Sequence, residues 1–587
     1  MILQELNRYY ERKISEDDSE MPSFGTSVEN ISFALVLDQD GELLDVEDLR
    51  RQEGKQLRPR KVLVPAAEKK ASGIKPNFLW DSTSYVLGLD NKDNQERTDK
   101  CHEAFVEQVN TFCGGDDAGL NAVVSFFKHD CRSVASRLDW GDVCGTNLVF
   151  RLSGTPGFIH ERAAAHKAWE KCLGQREVAM VGQCLISGEH GQPLARLHPS
   201  IKGVCGAQSS GASIVSFNLP AFESYGKEQS INAPISERAA FNYVTALNTL
   251  LAADSRQKVV IGDTTIVFWA ECRSVAEAVF ANLFAPDADR PEAGSLEDDQ
   301  QTAGKIFYLL QNIRSGKLAV DVAPELDPSV RFFILGLAPN ASRLSIRFWL
   351  EGTVGHFLEQ VATHFRQLEI VRQFATEPEF PPLWRLLCQT ATLGKSENIL
   401  PVLAGGITKA MLSGGLYPYT LLAAVLSRIR AEREVGYFRA ALLKAFLVRN
   451  KKMEISMYYD PNKKDVPYLL GGLFAVLEKA QTDAIPGTTA TMKDRFFGSA
   501  PATPARVFPM LLKNAANHIA KLRKNPEKTG WAINLDRAIQ DTVADLTHFP
   551  PTMSPEEQGM FMIGYYQRMK DLYTSKKAVT AKTTEEN

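Results

Sequence analysis

The sequence predicts an α+β protein: a mixed α/β N-terminal region with antiparallel sheet, followed by an all-α C-terminal helical bundle. Three observations carry that expectation. Strand-like runs are confined to the part before about Gly352. Beyond it, apolar residues recur at helical spacing near 354–374, 383–394, 400–413, 418–433, 435–449 and 466–480. A Pro/Gly/Thr/Ser-rich stretch, Ile485–Pro504, then sets off a tail punctuated by helix start and stop signals.

In chain order, a short amphipathic helix opens the sequence, with Leu3, Leu6 and Tyr10 on one side. Ile31–Leu37 (ISFALVL) reads as a strand ending in the turn Asp38-Gln39-Asp40-Gly41. A calcium loop beginning at Asp38 needs a bidentate Glu at its twelfth position, and that residue is Leu49. Lys258–Ala270 (KVVIGDTTIVFWA) predicts a hairpin around Gly262-Asp263. Arg343–Leu350 alternates Leu344, Ile346, Phe348 and Leu350 with Arg343, Ser345 and Arg347, which predicts one wet, basic sheet face. Between these runs, Pro286–Asp299 carries six acids, two prolines and a glycine, a solvated connection that repels phosphate. Thr503-Pro504 and Ser554-Pro555-Glu556-Glu557 are helix starts, and Asn525-Pro526 and Phe549-Pro550-Pro551 are stops. The tail therefore reads as three antiparallel helices near 507–525, 532–548 and 555–577. The division expected is 1–285 as an N-terminal α+β region, 286–304 as an acidic linker, and 305–380 as a strand–helix segment completing the N-terminal region. A helical domain at 381–484 and a C-terminal helical bundle at 485–587 follow.

With 587 residues, 44% hydrophobic and 23% charged, the composition is that of a soluble globular protein of several domains. No apolar run approaches the roughly 20 residues that span a bilayer. The opening MILQELNRYYERK lacks a signal peptide's apolar core, so a cytoplasmic protein without membrane contact is expected. Nine widely spaced cysteines without a C-x-x-C pair point to reduced thiols. Cys184, His190, His198 and Cys205 have spacings unlike known zinc folds and read as separate thiols and solvated histidines.

Catalytic motifs are missing. Gly394-Lys395-Ser396 resembles the end of a phosphate loop, but the partner glycine's position is Gln389 and the preceding segment is helical. His129-Asp130 matches the dipeptide of metal-dependent phosphohydrolases, yet the ten histidines are scattered and neither H-E-x-x-H nor G-x-S-x-G occurs. A non-enzyme without cofactor or metal is the expectation.

The net charge of −3 argues against a general polyanion binder, so local clustering decides. Arg50–Lys75 holds nine Lys/Arg against two acids and contains Gly54, Pro59 and Pro65, so it reads as a basic loop rather than a helix. Such a loop lays cations along phosphates and releases counterions; a solvated charge run has the same composition. Lys202–Gly211 (KGVCGAQSSG) sets three glycines among Gln208, Ser209 and Ser210, which suits close approach to phosphates or base edges. Phe217, Asn218, Phe222, Tyr225, Lys227 and Gln229 follow, a mixture that suits stacking or a wedge into a duplex. The spacing fits a structural glycine-rich turn beside a core strand equally well. In the tail, Lys513, Lys521 and Lys524 fall within about 80° on one helix face, opposite Leu511, Leu512, Ala515, Ile519 and Leu522.

Four phrases, in consistent order along the chain, resemble the large subunit of the type I-C CRISPR surveillance complex, Cascade. They are Gly73–Leu89 (GIKPNFLWDSTSYVLGL), Cys184–Gly188 with His198-Pro199, Gly206–Asn232 (GAQSSGASIVSFNLPAFESYGKEQSIN) and Ser554–Arg568 (SPEEQGMFMIGYYQR). The resemblance implies a non-catalytic subunit. Its N-terminal region sits near the crRNA 5′ handle, recognises the protospacer-adjacent motif in double-stranded target DNA and starts unwinding, while guide pairing supplies sequence specificity. Its C-terminal bundle is similar to Cascade small subunits that hold the displaced strand, and is also made separately by internal initiation; Met453, Met457, Met492 or the non-AUG Val466 are candidate starts. The implied partners are crRNA, target DNA, the Cascade backbone and crRNA-handle-binding subunits, the separately translated small-subunit fragment and a helicase-nuclease. Local chemistry assigns Gly206, Gln208, Ser209, Ser210, Asn218 and Lys227 to the motif duplex, and Arg58, Arg60, Lys61, Lys69 and Lys70 to the DNA backbone. Lys513, Lys521, Arg523 and Lys524 are assigned to the displaced strand. A ribonucleoprotein scaffold that never touches DNA, or a metal-dependent nuclease, are the alternatives.

Overall fold

The computed structural model describes residues 1–16, 21–53, 56–68, 73–91, 94–129, 131–137, 140–175, 180–284 and 326–574. The acidic linker 286–304, with Lys69 and Lys70, lies outside the described residues. The chain divides into two compact units, Met1–Pro199 with Val215–Leu247, and Ser200–Ile214 with Asn248–Asn587.

In the first unit, α1 (Ile2–Ile14) buries Leu6, Tyr9 and Tyr10. The strands are β1 (Thr26–Ile31), β2 (Phe33–Leu37), β3 (Leu43–Asp48), β4 (Arg51–Glu53), β5 (Gln56–Arg58), β6 (Arg60–Pro65), β7 (Trp80–Ser82) and β8 (Asn147–Leu152). The main sheet runs β3-β2-β8-β7, antiparallel except for the parallel pair β2–β8. Both its faces are covered, which is why β2 is a near-continuous apolar run. On one face Phe33, Leu35, Leu148 and Phe150 pack with α2 (Gln95–Phe112), α3 (Ala118–Phe126) and α4 (Ala163–Gly174) through Phe105, Val123 and Trp169. On the other, Ala34 and Val149 meet Val62 and Val64 of β6. The Asp38–Gly41 turn forms as expected: the Asp38 carboxylate accepts from the amides of Asp40 and Glu42 at 2.9 and 2.8 Å. Gly41 is at φ +86°, and a Cβ there would stand 2.6 Å from the Phe126 nitrogen. A short pair, β9 (Val181–Gly182) and β10 (Gln192–Pro193), follows. Next comes α5 (Glu237–Leu250).

The second unit carries an antiparallel sheet in the order β11 (Lys258–Ile261), β12 (Thr264–Ala270), β13 (Arg331–Asn340), β14 (Arg343–Thr353). The Gly262-Asp263 hairpin is present as expected. The basic face expected on β14 is not. Gly336 pairs with Phe348 and Leu337 with Ile346, so Arg347 is an extra residue that breaks the alternation and leaves Ile346 42% exposed. Arg347 is moreover paired with Asp263 at 2.8 Å, and Arg331 of the neighbouring β13 pairs with Glu271 and with Glu351 of β14 at 3.1 and 2.5 Å.

Next come helices α6 (Ala276–Phe284), α7 (Val354–Leu368), α8 (Leu383–Cys388), α9 (Pro401–Ser413), α10 (Tyr419–Glu432) and α11 (Tyr437–Lys451); α9, α10 and α11 lie close to their expected bounds, whereas α7 and α8 each end six residues before the expected 374 and 394. They are followed by α12 (Val466–Ala484), α13 (Pro504–Arg523), α14 (Thr529–Asp545) and α15 (Pro555–Tyr573). The Ser554 hydroxyl accepts from the Glu557 amide, and the Glu557 carboxylate accepts from the Ser554 amide, so the last helix starts on a capping box. Phe268 and Phe332 of the sheet, Phe357, Leu442, Phe474, Phe508 and Phe561 belong to one continuous core. The described part of 305–380, the segment 381–484 and the tail thus share that core. Helix α11 buries three cations: Arg439 and Arg449 donate to the carbonyls of Glu434 and Ala410, and Lys444 to those of Glu369 and Ser456. Burial lowers Lys444 to about 8. Among the described residues no helix is long and apolar enough to cross a membrane.

The core joins the tail through glycines. A Cβ at Gly471 of α12 would lie 2.0 Å from the Phe561 carbonyl oxygen, and one at Gly564 of α15 would lie 2.3 Å from that of Tyr468. Gly471→Ala is expected to cost roughly 3 kcal/mol by forcing these backbones apart. Gly530→Ala, in open space on α14, is expected to change stability by less than about 1 kcal/mol, in the stabilising direction. Thermal melts of the two variants check this; equal effects contradict the crossing.

A second prediction concerns His364, buried on α7 with its Nδ1 2.5 Å from the Tyr417 hydroxyl. Burial holds it down to about 3 against an ordinary 6.5. Below pH 6.5 the unfolded chain binds a proton that the folded chain refuses, so stability falls as pH drops toward 3. His364→Asn is expected to flatten melting temperature against pH across that window; an unchanged slope contradicts it.

Candidate nucleic-acid interface

The described part of the basic stretch at 50–75 is mostly strand, not the loop expected from its Gly and Pro content. The reason is the alternation in β6, where Val62 and Val64 are buried and Arg60, Lys61 and Leu63 face out. That strand pairs with β1, Lys61 opposite Asn30 and Arg60 opposite Ile31. In the smaller hairpin, Arg51 stands directly opposite Arg58. Like charges opposite one another across a ribbon repel, a disposition that an anion relieves. Arg58, Arg60 and Lys61 are all exposed. Arg50 is spent: it pairs with Asp48 and Asp142 at 2.8 and 3.1 Å and lies over the Phe33 ring.

Within the same unit, residues 224–227 form a tight turn that displays an aromatic ring. The Lys227 amide donates to the Ser224 carbonyl at 3.0 Å. Tyr225 and Gly226 occupy its corner with φ +54° and +67°. A bulky residue with positive φ is a true outlier. The ring earns nothing back from packing, since Tyr225 is 99% exposed. One side chain, Asn232, clamps the turn: its Oδ1 accepts from the Ser224 amide at 3.0 Å, and its Nδ2 donates to the carbonyls of Lys227 and Gln229 at 2.7 and 2.9 Å. Asn218 and Lys227 are exposed in this segment, as are Leu219 and Phe222. Tyr225 was among the aromatics noted in sequence, but nothing there distinguished it from Phe217 or Phe222, because only the backbone shows which ring is held out.

The glycine loop belongs to the second unit, so the residues grouped by sequence for the motif duplex are divided between units: Gly206, Gln208, Ser209 and Ser210 in one, Asn218 and Lys227 in the other. Its base is closed by paired hydrogen bonds between Ile201 and Ala212, and by Ser213 bonding beside β14. Two of its glycines answer to packing: a Cβ at Gly203 would lie 2.5 Å from the Leu251 oxygen, and one at Gly211 2.7 Å from the Ser200 Cβ. Gln208, Ser209 and Ser210 stand exposed at the tip. The structural and binding readings of this loop therefore apply to different residues of it.

On α13, Val507, Leu511, Ala515, Ile519 and Leu522 are buried, while Lys513, Lys521 and Lys524 are exposed. Arg506, also exposed and overlooked in sequence, lies two turns before Lys513 on the same bearing and lengthens the stripe to about 27 Å. Arg523 does not share this face: its guanidinium pairs with Asp536 of α14 at 2.5 Å.

Other sequence candidates are dispersed. Cys184 is buried and accepts from the Ser236 amide at 3.3 Å, His198 is buried against the Tyr243 hydroxyl at 2.6 Å, and Cys205 is exposed in the other unit. Among the described residues no group of three or more His, Cys, Asp or Glu side chains is disposed to hold a metal. Gly394 lies in a short helical turn after α8 rather than at a strand–helix junction. His129 is exposed beside Glu42, and Asp130 lies outside the described residues.

Residues 6–573 match the model of the Cas_Csd1 family, described as CRISPR-associated protein. No curated protein matches the chain.

If the Tyr225 ring serves a ligand rather than the fold, Tyr225→Gly leaves stability within about 1 kcal/mol of wild type, because relief of the positive φ offsets the added chain entropy. Asn232→Ala, which removes three hydrogen bonds, is expected to cost roughly 2 kcal/mol. Comparable losses from both variants in thermal melts contradict a purely displayed ring.

Proposed function

Because the chain belongs to the Cas_Csd1 family of CRISPR-associated proteins, we propose that it is the non-catalytic large subunit of a type I-C Cascade. In this reading it recognises the protospacer-adjacent motif, promotes duplex opening and R-loop formation, holds the displaced strand and supports recruitment of a helicase-nuclease. Its partners are crRNA, target DNA, the backbone and crRNA-handle-binding subunits and a separately translated C-terminal fragment. It acts in the cytoplasm without a cofactor.

The observation that carries the DNA role is the Tyr225 turn. Inserting a ring between base pairs costs a few kcal/mol of unstacking, and a ring carried on an already clamped backbone adds little backbone ordering to that cost. Lys227 stands two residues away, within the same exposed turn, to meet a phosphate. Arg58, Arg60 and Lys61, with Lys69 and Lys70, supply backbone contacts in the first unit. Gly206 lets the second unit's loop turn at φ +74°, and Gln208, Ser209 and Ser210 offer donors and acceptors at its tip. Arg506, Lys513, Lys521 and Lys524 form the displaced-strand track.

The fold also bears on the internal start. Helices α13, α14 and α15 each pack on α12, so a fragment beginning at Met453, Met457 or Val466 retains their common partner. One beginning at Met492 loses it.

The test uses assembled complexes carrying Tyr225→Ala or Lys227→Ala, with target DNA either fully paired or pre-opened beside the motif. Tyr225→Ala is expected to weaken binding to paired target at least about tenfold and to recover on the opened target. Lys227→Ala is expected to weaken both and to lower the salt slope by about one. Wild-type affinity of both variants for paired target, with assembly intact, removes the DNA role of this turn.

A further inference from the structure

One cavity of the second unit belongs to none of these sites. Of about 780 Å³, it lies between residues 373–374, the end of α10, the one-turn helix Met492–Phe496 and the last turns of α15. Two rings stand in it with substantial exposure, Phe374 and Tyr573, each 59% exposed; Tyr565 and Tyr566 line it from buried positions. Its wall also carries two ammonium groups. Lys493 lies 5.6 Å from the Tyr565 ring centre, and Lys570 donates to the Gln373 carbonyl at 2.8 Å, a neutral acceptor that leaves the charge uncancelled. Most other wall charges are answered inside the protein: Arg433 meets Asp494 at 3.5 Å, and Glu432 meets Arg439, and Arg428 at 3.7 Å. Glu434 is the remaining acid on the wall.

The short helix, Met492–Phe496, lines both this cavity and a separate, smaller hollow beside α13. Lys493 faces the cavity, while Arg495 of the same helix lines the hollow with Asn514 and His518 on the shoulder of α13. Rings for a base, ammonium groups for a phosphate and a cationic short helix that also borders α13 are together the chemistry of single-stranded nucleic acid. An apolar peptide side chain there would instead desolvate two ammonium groups further and bring no anion to meet them.

We infer that this cavity takes one unstacked nucleotide of the single strand whose backbone runs along α13, its base against Phe374 and Tyr573 and its phosphate near Lys493 and Lys570. This rests on the reading of α13 as the displaced-strand track.

The experiment titrates the full chain into a single-stranded oligothymidine carrying one 2-aminopurine, and into the same strand with abasic sites in place of its bases. Wild type is expected to quench the 2-aminopurine and to prefer the intact strand. Phe374→Ala/Tyr573→Ala is expected to abolish the quenching, bind about tenfold more weakly and no longer distinguish the abasic strand. Both rings are exposed enough that melting should be unchanged. Lys513→Ala/Lys521→Ala/Lys524→Ala is expected to weaken both strands and reduce the salt dependence. Should the lysine variant weaken binding while the ring variant matches wild type in quenching and affinity, the cavity assignment is overturned and the track stands. Should the ring variant alone weaken binding, the track falls and the cavity remains a base site. Absence of single-strand binding by wild type overturns both.

Discussion

The second unit depends on two helices crossing with almost nothing between them. At Gly471 and Gly564 the backbones of α12 and α15 approach so closely that a single methyl group has no room. Close approach turns the last helix from a tail into a wall of the core, buried from Gln558 to Gln567. It also sets Tyr565, Tyr566, Met569, Lys570 and Tyr573 along one side of the cavity. Because α13 and α14 pack on α12 as well, the cationic stripe and the aromatic cavity are mounted on the same frame.

Charge follows a comparable economy. A chain of net charge −3 cannot hold polyanion through its average field, so the disposition of each cation matters. Many cations are withdrawn into structure: Arg50 between two aspartates, Arg331 and Arg347 on the second sheet, Arg439, Lys444 and Arg449 inside α11, Arg523 against Asp536. Others stand in the open: Arg60 and Lys61 on a ribbon, Lys227 beside Tyr225 on a clamped turn, and Lys513, Lys521 and Lys524 on α13. Such a distribution concentrates the available positive charge at a few fixed points.

Much of this was legible in sequence because it rests on local rules. Helical periodicity located α7 and α9–α15, the Gly262-Asp263 turn located its hairpin, and proline with serine or threonine marked the starts of α13 and α15. The misreadings arose where long-range pairing overrode local composition. Gly54 and Pro59 suggested a loop, yet Val62 and Val64 gain more by filling the space beside Ala34 and Val149. The bulge at Arg347 and the acids facing β14 could not be seen from alternation. Of the candidate site, the lysine stripe was visible from helical geometry, whereas Tyr225 was one aromatic among several until its φ and exposure singled it out. The cavity joins residues from 373 to 573, too far apart in sequence for any motif to announce.

The most direct measurement is photochemical cross-linking of target DNA to the assembled complex, with photoreactive thymines placed in the paired motif or in the displaced strand, followed by peptide mapping. The account predicts adducts around Tyr225 from the motif duplex, and adducts around Phe374, Tyr573 and Lys513–Lys524 from the displaced strand. Cross-links from both strands that fall wholly outside these segments, in complexes that form R-loops normally, would contradict it.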